Sequence, residues 1–164
     1  MLKHLIIRDF VIVDQLDLDF SSGFTALTGE TGAGKSILID ALSLALGERG
    51  DATLVRSGCE RAEVAAEFDI AGLPHVQAWL REQALEGDGS VCLLRRTLDA
   101  AGRSRGFING SGATQQQLRE AGEMLLDIHG QHAHQSLLKA DAQRVLLDAH
   151  AGLAPLAAEV AQNY

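Results

Sequence analysis

Residues 25–42, TALTGETGAGKSILIDAL, constrain this chain more than any other stretch. A short apolar run, Phe24 to Thr28, reads as a strand and leads straight into a glycine-rich loop. The loop opens onto Ile37, Leu38, Ala41, Leu42, Ala45 and Leu46, a broad apolar face at helical spacing, and Gly47 is a stop signal. A helix from about Lys35 to Leu46 is therefore expected. Gly29, Gly34, Lys35 and Ser36 satisfy G-x-x-x-x-G-K-[ST] in the strand, loop, helix order that motif requires, and Gly32 adds a third glycine. The backbone N–H groups of such a loop curl around an anion, and glycine permits the dihedrals and the close approach this needs. The helix adds the positive end of its dipole. The pattern predicts that Gly29, Glu30, Thr31, Gly32, Ala33, Gly34, Lys35 and Ser36 bind nucleotide phosphates, with Lys35 at the β and γ phosphates and the Ser36 hydroxyl on Mg²⁺. The competing interpretation is a chance glycine-rich turn before a helix. The loop alone does not separate an ATPase from a GTPase or a small-molecule kinase.

A chain of 164 residues with 46% hydrophobic content can bury one compact core. Its formal net charge of -8 argues against a general electrostatic grip on DNA or anionic lipid, so any nucleic-acid contact must be local or shared. Cys59 and Cys92 have neither paired nor metal-like spacing, which fits a reducing compartment and two buried thiols. Lys3, His4, Arg8 and Asp9 interrupt any apolar run that a signal peptide would need, and no stretch reaches the length of a transmembrane helix. The expectation is a soluble, cytoplasmic protein without membrane contact.

Leu5-Ile6-Ile7, Val11-Ile12-Val13 and the period-two set Leu16, Leu18, Phe20 read as strands ended by Ser21-Ser22-Gly23. Glu63 to Ile70 reads as a strand, and Pro74 to Leu85 as a helix with Trp79 as its packing anchor. Val91–Leu98 and Arg105–Asn109 flank a turn at Asp99 to Gly102, a hairpin arm. Thr114 with Gln117 has the form of a capping box for a helix to about Glu123, followed by a buried-strand candidate at Met124 to Ile128. Leu146, Ala149, Leu153, Leu156 and Val160 follow alternating steps of three and four, a coiled-coil seam whose start is weakened by Gly152 and Pro155. The seam reaches Tyr164 without a capping signal, so a fragment is expected.

A nucleotide enzyme also needs a carboxylate for magnesium. Met124-Leu125-Leu126-Asp127 comes near a Walker B strand, and with Asp127 in that role the chain would be a small P-loop kinase, Arg95, Arg96, Arg103 and Arg105 serving as lid arginines. The following stretch, DIHGQHAHQSLL at 127–138, instead suggests a loop presenting Gln131 to a metal or a water. His129, His132 and His134 raise a metal site, against the commoner case of solvated loop histidines. The four arginines have two further readings, a local cationic patch for DNA phosphates or solvated strand residues paired with nearby carboxylates.

MLKHLIIRDFVIVDQLDLDF, GETGAGKSILIDALSLALGER, LVRSG, RRTLDAAGRSRGFINGS and DIHGQHAHQSLL, in this order, resemble the N-terminal part of the RecN family of bacterial DNA repair proteins, relatives of the structural-maintenance-of-chromosomes (SMC) ATPases. The resemblance covers nearly the whole chain. It implies an α/β P-loop fold of ABC/SMC type: the N-terminal lobe of an ATPase head at 1–139 and the helical start of a truncated coiled coil at 140–164. It implies ATP and Mg²⁺ as cofactors and double-strand-break repair and recombination as the function. Gln131 becomes the Q-loop glutamine, catalytic and metal-contacting, while Asp127 only ends a strand. Walker B and the signature motif would come from the C-terminal half of the same head. A second head, in an ATP-dependent dimer, and DNA, through the complete protein at the nucleoid, are the implied partners. One departure concerns the adenine: related ATPases place a basic residue where Val11 follows Phe10. Arg56 is a candidate nucleotide- or DNA-responsive arginine, with a surface ion pair as the alternative.

Overall fold

The computed structural model describes residues 1–28, 34–126, 128, 143, 144, 147, 148, 150–153, 156, 157, 159 and 160. The chain divides into two compact units, Met1–Leu126 and Asp127–Tyr164. In the first, six antiparallel strands form one sheet: β1 (Leu2–Phe10), β2 (Val13–Asp19), β3 (Arg61–Asp69), β4 (Val91–Asp99), β5 (Ser104–Ile108) and β6 (Ser111–Ala113), ordered β2-β1-β3-β4-β5-β6. Three helices accompany it, α1 (Lys35–Ala45), α2 (Pro74–Glu82) and α3 (Gln115–Leu125), with a short 3-10 turn at Ala52–Leu54.

Alternation along the strands separates two faces. Leu5 and Ile7 of β1, Val64, Ala66 and Phe68 of β3, and Cys92, Leu94 and Leu98 of β4 are buried on one of them. α1 packs against β3 and β4 there and contributes Ala41, Leu44 and Ala45 to the core. α3 covers β5: a Cβ on Gly106 would stand 2.3 Å from Leu118 Cδ1, so only glycine leaves room for that leucine. α1 ends in a Schellman turn. Gly47 takes φ 95, its N–H donates to Leu44 O at 3.2 Å, and Glu48 N–H donates to Ser43 O at 3.0 Å. The expected hairpin is formed by β4 and β5, where Asp99 accepts from the N–H groups of Ala101 and Arg103. The capping box at Thr114 is complete in both directions.

Several expectations are corrected. Phe24 to Thr28 is not a strand: these residues lie outside the six-stranded sheet, with Phe24 97% exposed, because an apolar run becomes a strand only where a neighbour offers a ladder. Met124 and Leu125 belong to α3, not to a strand, and Leu126, its C-cap, is extended; the apolar run continues the helix capped by Thr114. Asp127 lies outside the described residues. Trp79 is only half-buried, and α2 is anchored by Val76 and Leu80, which follow its helical spacing. Cys92 is buried, its thiol pushed up to about 12 by loss of solvation, whereas Cys59 is half-buried and donates to Asp9 Oδ1 at 3.2 Å. β6, unforeseen in the sequence, returns through a turn at Asn109-Gly110, both with positive φ.

In the second unit, Leu153, Leu156 and Val160 are exposed and Gly152 takes φ 70 in a turn at 151–152, so Leu153 is not helical. Leu146 and Ala149 lie outside the described residues. Thr114→Ala should remove the side-chain half of the α3 cap and lower stability by about 1 kcal/mol, measured as a shift in the urea midpoint at unchanged m-value. An unshifted midpoint would show that the cap contributes nothing.

Candidate functional site

The end of the phosphate loop is set by α1. Its apolar residues fix it to β3 and β4, and its N-cap is Gly34, left-handed at φ 86 and ψ 9. A glycine there carries no capping side chain, and the first turn has no acidic residue. Gly34 O accepts from Ile37 N at 3.0 Å, which closes the first turn. Lys35 is half-buried and Ser36 exposed, the two adjacent at the positive end of the helix dipole. Gly34, Lys35 and Ser36 thus follow one another across the N-cap and first two positions of α1. Gly29, Glu30, Thr31, Gly32 and Ala33 lie outside the described residues, as do Gln131, His129, His132 and His134. Among the described residues, no group of three or more His, Cys, Asp or Glu side chains is placed to hold a metal ion.

The arginines do not form one patch. Arg95 and Arg96 are neighbours in β4 and point to opposite faces, Arg95 opposite Phe107 and Arg96 opposite Gly106. Arg95 stacks its guanidinium 4.4 Å from the Phe107 ring centre and lies 4.0 Å from Glu63. Arg96 is only 5% exposed; its Nε donates to Ser104 Oγ at 2.6 Å, and burial pulls its pKa down. Arg103 is held by Asp99 at 2.7 Å, and Arg105 is exposed. The reading of solvated residues paired with carboxylates fits Arg95 and Arg103. The burial of Arg96 had one sequence signal, its place two residues from both Leu94 and Leu98 in an alternating strand.

Arg56 is an ion-pair residue, 3.0 Å from Asp14 Oδ1 and 4.0 Å from Asp9 Oδ1. The segment around it docks on the β1–β2 turn: Val11 N donates to Leu54 O and Arg56 N to Asp9 O, each at 2.9 Å, and Phe10 bridges Val55. These bonds hold Asp9 at φ 51 and Val11 at φ 53, a conformation that a β-branched residue adopts only under such constraint. Ile12, at the tip, is 66% exposed. A cavity of about 700 Å³ is lined by Arg8, Arg61 and Arg103 together with Asp9, Glu60, Glu63 and Asp99. Three guanidinium groups against four carboxylates give it no anion preference. The motif and the cap geometry, not the size of a cavity, mark the candidate nucleotide site.

Residues 4–146 match the family model described as AAA domain. The chain belongs to the AAA domain family. It is 50% identical over 151 residues to DNA repair protein RecN of Xylella fastidiosa (strain Temecula1 / ATCC 700964), an alignment covering 92% of this chain and 27% of that protein. It is 48% identical over 156 residues to DNA repair protein RecN of Vibrio cholerae, covering 95% of this chain and 28% of that one. The chain thus spans little more than a quarter of the length of these relatives, and the resemblance read from its motifs holds. The SMC head domain from Thermotoga maritima superposes with a TM-score of 0.51 at 26% identity, covering 73% of this chain and 41% of that one. A chain from structural work on ATP-driven dimerization and DNA-stimulated activation of SMC ATPases superposes with a TM-score of 0.62 at 24% identity, covering 90% of this chain and 97% of that one. The fold is that of a P-loop ATPase head. These relatives do not favour a small kinase built on Asp127. Among the described residues no helix is long and apolar enough to cross a membrane.

Gly34→Ala tests the cap. Among the described residues a Cβ there would meet only Ile37 Cδ1, at 3.8 Å, so against these the cost is dihedral and not steric. Stability should fall by about 1–2 kcal/mol in urea unfolding, and ATP affinity should fall with it as the cap changes shape. Unchanged affinity and stability would mean that the left-handed cap is dispensable.

Proposed function

We propose that this chain is the ATP-binding N-terminal lobe of the head of an SMC-like ATPase that acts in DNA double-strand-break repair and recombination. The observation that carries the proposal is the left-handed Gly34 cap with Lys35 and Ser36 on an anchored α1, in a chain half-identical to a DNA repair protein. Lys35 reaches the β and γ phosphates as a point charge, and the loop from Gly29 to Gly34 supplies N–H groups. Mg²⁺ favours hard oxygen ligands. The exposed Ser36 hydroxyl and the Gln131 side-chain carbonyl are of that kind and would hold it. The metal would neutralise charge on the phosphates, and Gln131 would orient the attacking water.

The C-terminal half of the same head is the first partner in this reading. Exposed Phe24, Leu27 and Ile39 support it, since a helix apolar on more than one side and an apolar run with no strand partner among the described residues both call for cover from outside the lobe. That half would bring Walker B and the signature motif. A second head, engaged through ATP, and DNA, held by the complete protein at the nucleoid in the cytoplasm, complete the set of partners.

Lys35→Ala should weaken ATP binding at least tenfold, the scale of a lost charge-assisted hydrogen bond of about 1.5–3 kcal/mol, read by calorimetry on folded protein. Equal affinity would remove Lys35 from the site. In the complete protein, Gln131→Ala should lower kcat more than it raises KM for ATP. A variant that loses ATP binding yet turns over normally at saturation would contradict the role given to Gln131.

A further inference from the structure

The two ends of α1 are in different situations. Its N-terminus faces the nucleotide site, while its C-terminal cap is interlocked with α3 through main chain. A Cβ on Gly47 would stand 2.6 Å from Arg119 N and 3.0 Å from both Arg119 Cα and Gln115 O. From the other side, a Cβ on Gly122 would stand 2.9 Å from Leu46 O and 3.0 Å from Leu46 Cβ. Gln115 Nε2 donates to Gly47 O at 3.1 Å across the same contact, and Arg119 Nη2 lies 4.0 Å from Glu48 Oε2. Gly47 and Gly122 are both buried. Gly122 sits inside a helix, where glycine is a poor choice on its own account, so its place is explained by the approach it allows. α3 is fixed on a second side by Leu118, seated over Gly106.

From these contacts we propose that the α1 cap and α3 form a backbone lock, with Gly47, Gly122 and Gln115 as positioning residues for ATP turnover. The proposal rests on the phosphate-loop reading. Side chains packed on side chains can slide or repack, whereas main chain against main chain with no Cβ between leaves no slack. A change in α1 on nucleotide binding is then carried to α3. Chain connectivity passes it to Leu126, the extended residue at which α3 ends, five positions before Gln131.

The test compares the complete protein as wild type, Gln115→Ala, Gly122→Ala and Gly112→Ala. Gly112 is the control, because among the described residues a Cβ there meets nothing within 4 Å. Amide hydrogen exchange is measured with and without ATP, together with kcat and KM. In wild type and Gly112→Ala, ATP should slow exchange in both α1 and α3. In Gln115→Ala the slowing should persist in α1 and be lost in α3, with kcat down about threefold to tenfold and KM within about twofold of wild type. Gly122→Ala should act in the same direction; if it does not fold, Gln115→Ala decides alone. Slowing confined to α1 in the wild type, or a kcat for Gln115→Ala equal to that of Gly112→Ala, would overturn the lock. No response to ATP in any form, wild type included, would reject the phosphate-loop reading and the lock with it.

Discussion

Burial of Ala41, Leu44 and Ala45 against β3 and β4 fixes α1, and with it the place of Gly34, Lys35 and Ser36. A phosphate-binding loop works only if its N–H groups are already aimed when the anion arrives, because ordering them afterwards would cost the binding energy gained. The sheet supplies that rigidity. Its two central strands, nine residues each, carry the largest share of buried side chains, including Phe68 and Leu94, both without exposure. The helix is held at its middle by the core and at its far end by the Gly47 turn.

Much of this was legible in the sequence because the signals were local. The hairpin at Asp99 to Gly102 and the box at Thr114 each depend on a side chain and a backbone group a few residues apart, and the stop at Gly47 on backbone bonds closed by a left-handed glycine. What failed depended on neighbours. Phe24 to Thr28 has strand composition, but a strand is a relation between two segments, and among the described residues this one has no partner. Met124 and Leu125 looked like the start of a strand because they are apolar, yet they extend the last turn of α3. Trp79 was given an anchoring role by size alone, whereas position along the helix gave it to Val76 and Leu80.

The site divides in the same way. Gly34, Lys35 and Ser36 could be placed at the start of α1 from spacing, since the motif puts them at a helix start. The four arginines could not, because whether Arg95 and Arg96 share a surface is decided by strand register, which puts one over Phe107 and the other in the core. Arg56 could have served several chemistries; the carboxylates of Asp14 and Asp9 settle its present contacts.

The central claim is that this lobe binds ATP but needs the rest of its head to hydrolyse it. Steady-state phosphate release should be measured for the 164-residue chain, for the separately made remainder of the protein and for the two mixed. Little turnover is predicted for either alone, and ATP hydrolysis restored in the mixture and lost again with Lys35→Ala, because metal, water and charge stabilisation act only when assembled together. Robust turnover by the chain alone, abolished by Asp127→Asn, would contradict the account.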